Sequence, residues 1–137
     1  MTRLIVLIVL TAIAVGVAIA LQRRRPEPPS SPSYKAPTQV DRDDFDAPDA
    51  ETLIAVFTSA TCASCAIAVE TARSVVAGAG DGVVMQDLEV NRDSRMHQRY
   101  TIDGVPTTLV VDAEGVVRAS FFGPTDVSQI TEALPTD

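Results

Sequence analysis

Hydrophobic positions fall into three regimes along the chain. Residues 4–21, LIVLIVLTAIAVGVAIAL, open at Leu4, close at Leu21 and contain no charge. A run of about 18 apolar residues is near the lower limit for crossing a hydrocarbon core at ~1.5 Å per helical residue, and it has no polar face to turn to water. It therefore predicts a transmembrane helix. A cleaved signal peptide is the competing reading, since Arg3 supplies a charged start and Ala18-Ile19-Ala20 a small-x-small cleavage pattern. The run is longer than the usual apolar core of such peptides, about 7 to 15 residues. Residues 26–37, PEPPSSPSYKAP, hold five of the nine prolines and show no periodicity. They predict an extended, semi-rigid spacer of about 35 Å at ~3.1 Å per residue.

From Thr38 the pattern becomes that of a compact α/β domain. A short extended piece at 38–40 leads into the acidic residues 41–51, with a short helix expected at 42–46. Thr52-Leu-Ile-Ala-Val-Phe57 is continuously apolar and partly β-branched, as in a central strand buried on both faces. Residues 63–77 are Ala-rich and run into Gly78-Ala79-Gly80, a helix with a glycine stop. VVMQDLEV, residues 83–90, reads as a second central strand, and residues 92–100 as a short helix. Residues 107–112 and 116–122 flank Ala113-Glu114-Gly115, a hairpin pattern. Pro124-Thr125-Asp126 then opens a final helix to residue 134, with Thr125 expected as its N-cap. The order is β-α-β-α-β-β-α without internal repeat. Three segments result: 1–25 as anchor with basic flank, 26–37 as linker, 38–137 as globular domain.

Charge sharpens this division. Residues 1–40 carry five Arg/Lys against one Glu (net +4), and residues 41–137 six Arg against seventeen Asp/Glu (net −11). A domain so acidic repels phosphate, and the chain has no Trp to stack on bases, so nucleic acid is excluded as a partner. Gln22-Arg23-Arg24-Arg25 outweighs Arg3 across the apolar run, and basic flanks stay cytoplasmic. The rule places the domain on the cytoplasmic side of the membrane.

The only two cysteines, Cys62 and Cys65, lie in FTSATCASCAIAVETA at the junction of the first strand and first helix. A disulfide across two residues closes too short a loop to remove much unfolded-state entropy, so a structural staple is a poor reading. A thiol is nucleophilic as the thiolate, and a helix's first turn offers unpaired N–H groups that favour negative charge. With the helix beginning at Thr61 or Cys62, Cys62 is the attacking thiol and Cys65, one turn inside and partly covered, the resolving one. Such chemistry needs no bound organic cofactor, because the electrons reside in the dithiol. Three other readings compete. Two thiolates can hold Cu(I) or half a zinc site, but zinc normally takes four ligands, and beyond the cysteines there is one histidine, His97, expected at the surface. A cysteine hydrolase needs a base beside its nucleophile, and nothing ties His97 to Cys62. An interaction module whose redox role has lapsed is the third.

A second motif, Gly104-Val105-Pro106-Thr107, follows the cysteines by about forty residues and precedes the hairpin. With it, the chain resembles thioredoxin-like proteins over nearly all of residues 38–137. Phe57, the Asp-Ala-Glu-Gly hairpin and Gly123 before the last helix fit the same pattern. The resemblance implies a central mixed β-sheet flanked by helices and a cis bond before Pro106. It also implies main-chain pairing of Val105 with an extended substrate, and Thr61 and Pro106 lining the substrate groove. Partners would be protein thiols or disulfides and an electron donor or acceptor. Such domains on N-terminal anchors are often exported, which makes the extracytoplasmic side the alternative location. The departures are specific: Thr61 replaces an aromatic residue, Ala63-Ser64 replaces Gly-Pro, and Val56 replaces a buried aspartate. Asp87 stands where the family has a lysine. One reading makes Asp87 the proton acceptor for Cys65, through water; the blander one makes it a solvated carboxylate.

Overall fold

The computed structural model describes Met1, residues 11–16 and residues 34–136. Two compact units divide the chain, Met1–Ser33 and Tyr34–Asp137. Within the first, residues 11–16 are helical, and the remainder of the apolar run 4–21, the arginines at 23–25 and residues 26–33 lie outside the described residues. Among the described residues no helix is long and apolar enough to cross a membrane.

The second unit is built on β1 (Thr52–Thr58), all seven of whose residues are buried. Alternate side chains enter separate cores. Leu53, Ala55 and Phe57 pack with Val40, Phe45, Leu88, Tyr100, Leu109 and Val111 on one face, while Ile54 and Val56 pack with Ala68, Ala72, Val75, Val110 and Ile130 on the other. Both faces are covered, which is why the strand reads as an unbroken apolar run rather than an alternation.

Strand β2 (Val83–Glu89) lies parallel to β1, with Val56 opposite Asp87. A parallel pair requires a crossover, supplied by helix α1 (Ala63–Ala79). Its inward stripe, Cys65, Ala68, Ala72 and Val75, is made of small side chains, which let the helix backbone approach the sheet closely. Helix α1 ends at Gly80, whose φ of +86° suits a residue without a Cβ. Helix α2 (Ser94–Arg99) leads to β3 (Thr107–Asp112), antiparallel to β1, and β4 (Val117–Phe122) closes the sheet in the order β2-β1-β3-β4. Helix α3 (Val127–Ala133) packs through Ile130 on the α1 side.

Three local expectations are corrected. Residues 83–90, expected as a second central strand, form β2 at the edge of the sheet, and six of its seven residues are only partly buried. The helix expected at 42–46 is a single 3-10 turn, Arg42–Asp44, because Phe45 turns extended to bury its ring in the core. The N-cap of α3 is Asp126 rather than Thr125: Gln129, three residues on, accepts from the Asp126 N–H at 3.1 Å and completes a capping box. Thr125 is itself buried.

Polar fasteners hold the arm of residues 34–50 against the sheet. The buried Arg42 guanidinium donates to the carbonyls of Asp112 (2.6 Å), Ala47 (3.0 Å) and Ala50 (2.9 Å). In the β3–β4 hairpin, Asp112 Oδ1 accepts from the N–H groups of Glu114 and Val116, and Oδ2 from Arg118 Nε at 2.6 Å. Gly115 is required here, since it has φ +82° and a Cβ would lie 2.2 Å from the Val40 carbonyl.

Burial pushes the Asp112 carboxyl up, but the Val116 N–H, Arg118 and the Glu114 N–H together hold it below the usual carboxylate range. A depressed pKa contributes stability above the unfolded-state value of about 3.9 and loses it as pH falls through the folded one. Asp112→Asn is therefore expected to cost about 1–3 kcal/mol at neutral pH. Urea unfolding should show the gap to the parent narrowing below about pH 4.

Candidate dithiol site

The chain leaves β1 at Thr58 and turns through residues 59–61 before helix α1. Cys62 is the N-cap of that helix, with extended backbone angles. Its N–H donates back to the Ser59 carbonyl at 3.1 Å, closing the turn. Its Sγ faces into the helix and accepts the Cys65 N–H at 3.2 Å, with the Ser64 hydroxyl at 3.4 Å. The two cysteines are joined in a disulfide, their Cα atoms 5.3 Å apart. Cys62 is half-buried, whereas Cys65 is 3% exposed. The pair therefore has one sulfur open to a partner and one beneath it on the inward stripe of α1.

An open groove of about 440 Å³ runs beside the pair, lined by both cysteines, Thr58, Asp87 and Glu89 among others. Asp87 projects from β2 on the same sheet face as Val56, the face that α1 covers. The Thr58 hydroxyl donates to its Oδ1 at 2.6 Å, and Arg92 donates to its backbone carbonyl. Glu89, at the end of β2, accepts the Ala60 N–H at 3.2 Å, the Asn91 N–H at 3.0 Å and the Arg92 N–H at 3.1 Å. Desolvation, the largest single influence on this carboxyl, pushes its pKa up, but the N–H donors of Arg92, Ala60 and Asn91 outweigh it and hold it below the usual value. Glu89 is thus a fixed anion that ties the loop before Cys62 to β2.

The Val105–Pro106 bond is cis. Pro106 is buried, and its carbonyl accepts the Gly123 N–H at 2.9 Å. Val105 is half-buried, and no hydrogen bond from the described residues reaches its N–H or C=O. Thr61 is exposed directly before Cys62, its hydroxyl 3.2 Å from that of Ser59.

His97 is not a surface residue. It is 6% exposed, its Nε2 lies 2.8 Å from the Leu88 carbonyl, and its ring meets Phe57 edge-on at 5.0 Å. Phe57 belongs to the core on the sheet face opposite α1, so His97 stands away from the cysteines. Among the described residues no group of three or more Cys, His, Asp or Glu side chains is arranged to hold a metal ion. A larger depression, about 910 Å³, lies between the arm and residues 99–101, and no cysteine lines it.

Sequence reasoning missed Ser64 and Glu89. In the sequence Ser64 is only part of the insert between the cysteines. Glu89 reads as part of a strand, yet its place at the last position of a parallel strand, level with the end of β1, puts it next to whatever follows β1.

No protein-family model and no curated protein matches the sequence. Solved structures do match in shape. One described as the structure of a malarial protein superposes with a TM-score of 0.56 at 8% identity, covering 61% of this chain and 92% of that one. StoA from Bacillus subtilis gives 0.51 at 14% identity, covering 62% and 83%. Thioredoxin-2, described as a component of malaria parasite protein secretion machinery, gives 0.56 at 8% identity, covering 60% and 79%. At such identities the likeness establishes architecture alone, and it agrees with the sheet order, the helix that begins at Cys62 and the proline loop: the compact domain has the thioredoxin fold.

Proposed function

We propose that the domain is a thiol–disulfide oxidoreductase that exchanges the Cys62/Cys65 pair with protein disulfides. The observation that carries this reading is the asymmetry of the pair, with Cys62 at the helix N-terminus receiving an N–H and Cys65 buried one turn behind it. In the reducing direction the Cys62 thiolate attacks one sulfur of a substrate disulfide. A Cys62–substrate S–S bond forms, and the other substrate sulfur leaves as thiolate and takes up a proton. Cys65 then loses its proton and attacks the Cys62 sulfur. The mixed disulfide breaks, the second substrate thiolate leaves, and two electrons have passed from the protein to the substrate. The oxidising direction is the reverse, and the redox poise of the compartment selects between them.

The free Val105 N–H and C=O suit an extended substrate strand, whose pairing would hold its disulfide over Cys62, with exposed Thr61 flanking it. Asp87 is the proposed proton acceptor for Cys65: it shares the groove, and its Oδ2 takes no hydrogen bond from the described residues. The apolar run 4–21 and the arginines behind it support a membrane tether with the domain on the cytoplasmic side.

Two experiments test this reading. Cys65→Ser should accumulate mixed disulfides in cells, reversible by reductant and abolished by adding Cys62→Ser; absence of adducts would remove the exchange mechanism. Asp87→Asn should slow the resolving step roughly tenfold or more, seen as a longer-lived mixed disulfide, and should alter its pH dependence. A resolving rate and pH profile equal to those of the parent would leave Asp87 a mere solvated carboxylate.

A further inference from the structure

Residue 34 falls in the proline-rich stretch that reads as spacer, yet the compact unit begins with it. The Tyr34 ring stacks on Phe122 with centroids 4.9 Å apart. Its hydroxyl donates to Thr107 Oγ1 at 2.9 Å, and the Thr107 hydroxyl donates to the Gly104 carbonyl at 2.8 Å. The direction of this chain is fixed by chemistry. A carbonyl only accepts, so the single Thr107 proton is committed to Gly104, and the phenol must be the donor to Thr107. The Phe122 ring also lies close against Gly104, since a Cβ there would be 2.5 Å from it. Tyr34 and Phe122 therefore brace both ends, Gly104 and Thr107, of the loop that carries Val105 and Pro106.

We propose that Tyr34 is a positioning residue for substrate binding, holding the 104–107 loop through Thr107 so that the Val105 backbone is presented in one geometry to an extended peptide. This rests on the dithiol reading given above. Thr107 is fully buried, and a buried hydroxyl that loses a partner is costly, so the loop is held firmly while the phenol is present. Burial, the largest influence, raises the Tyr34 pKa, with Asp103 adding to it against the Thr107 hydrogen bond; the phenol stays a donor at physiological pH. Neither Tyr34 nor Thr107 lines the groove beside the cysteines. The effect is therefore on how a peptide backbone is received and not on the reactivity of the pair. In consequence, the first residue of the compact unit is tied to the substrate-binding loop.

The test uses the reduced full-length chain and two probes. One is a cystine-bridged peptide, which can pair with the Val105 backbone. The other is hydroxyethyl disulfide, which has no backbone to pair. Tyr34→Phe keeps the ring stack and removes the donor. It should slow reaction with the peptide roughly three- to tenfold, the range of one hydrogen bond, and leave the rate with hydroxyethyl disulfide and the reduction potential at parental values. Thr107→Val should give a similar peptide-specific loss, and the double variant should be no slower than Thr107→Val alone, because both act through one chain of bonds. Equal slowing with both probes, no slowing with the peptide, or additive losses would overturn the proposal. A parent protein inert to both disulfides would instead overturn the dithiol reading itself, a failure visible without any substitution.

Discussion

One hydrogen bond organises the site: the N–H of Cys65 points at the sulfur of Cys62, at 3.2 Å, across the first turn of α1. Helix N-termini carry unpaired N–H groups, and a negative charge placed there gains about 0.3–1 kcal/mol when exposed and up to ~2 kcal/mol when partly buried. Cys62 is half-buried and sits at the cap itself, where the effect is largest. Much of the fold serves to bring that helix end to the C-terminal end of the central strand β1. The parallel β1–β2 pair demands a crossover, α1 supplies it, and the alanines of its buried stripe let it lie close on β1.

Against that stabilisation stand the carboxylates of the groove, Glu70, Asp87 and Glu89, with only Arg73 opposing them. Bare anions beside Cys62 would disfavour its thiolate. Glu89, however, is answered locally by the N–H dipoles of Ala60, Asn91 and Arg92, and one oxygen of Asp87 by the Thr58 hydroxyl, so each carboxylate's field at the sulfur is reduced though its charge remains. Glu70 points to solvent beside Arg73, where screening leaves little of its field. The helix end, in direct contact with the sulfur, is therefore the larger influence. The same layout gives Cys65 a carboxylate neighbour, Asp87, in the groove that both line.

The order of elements, the central strand and the cysteine pair were legible in the sequence because each has a local cause. Residues 52–57 are apolar throughout since both faces of β1 are covered, and the glycine at 80 stops α1 through its positive φ. What escaped was set by long-range contact. Tyr34 lies among prolines and serines and reads as spacer, yet its partners are 73 residues away at Thr107 and on Phe122. His97 reads as a surface residue on a short polar helix, but α2 packs on β2 and the ring finds the Leu88 carbonyl. Asp126 displaced Thr125 as the cap of α3 because the capping partner is Gln129, a pattern present in the sequence and visible once the helix start is placed.

The central claim is that the helix end, and not a neighbouring base, makes the Cys62 sulfur the nucleophile. The most direct measurement is a pH titration of the ultraviolet thiolate absorbance in reduced Cys65→Ser protein, where Cys62 is the sole thiol. The account predicts a midpoint below the ~8.5 of an unperturbed cysteine, retained when Asp87 is replaced by Asn. A midpoint at or above that value would contradict it.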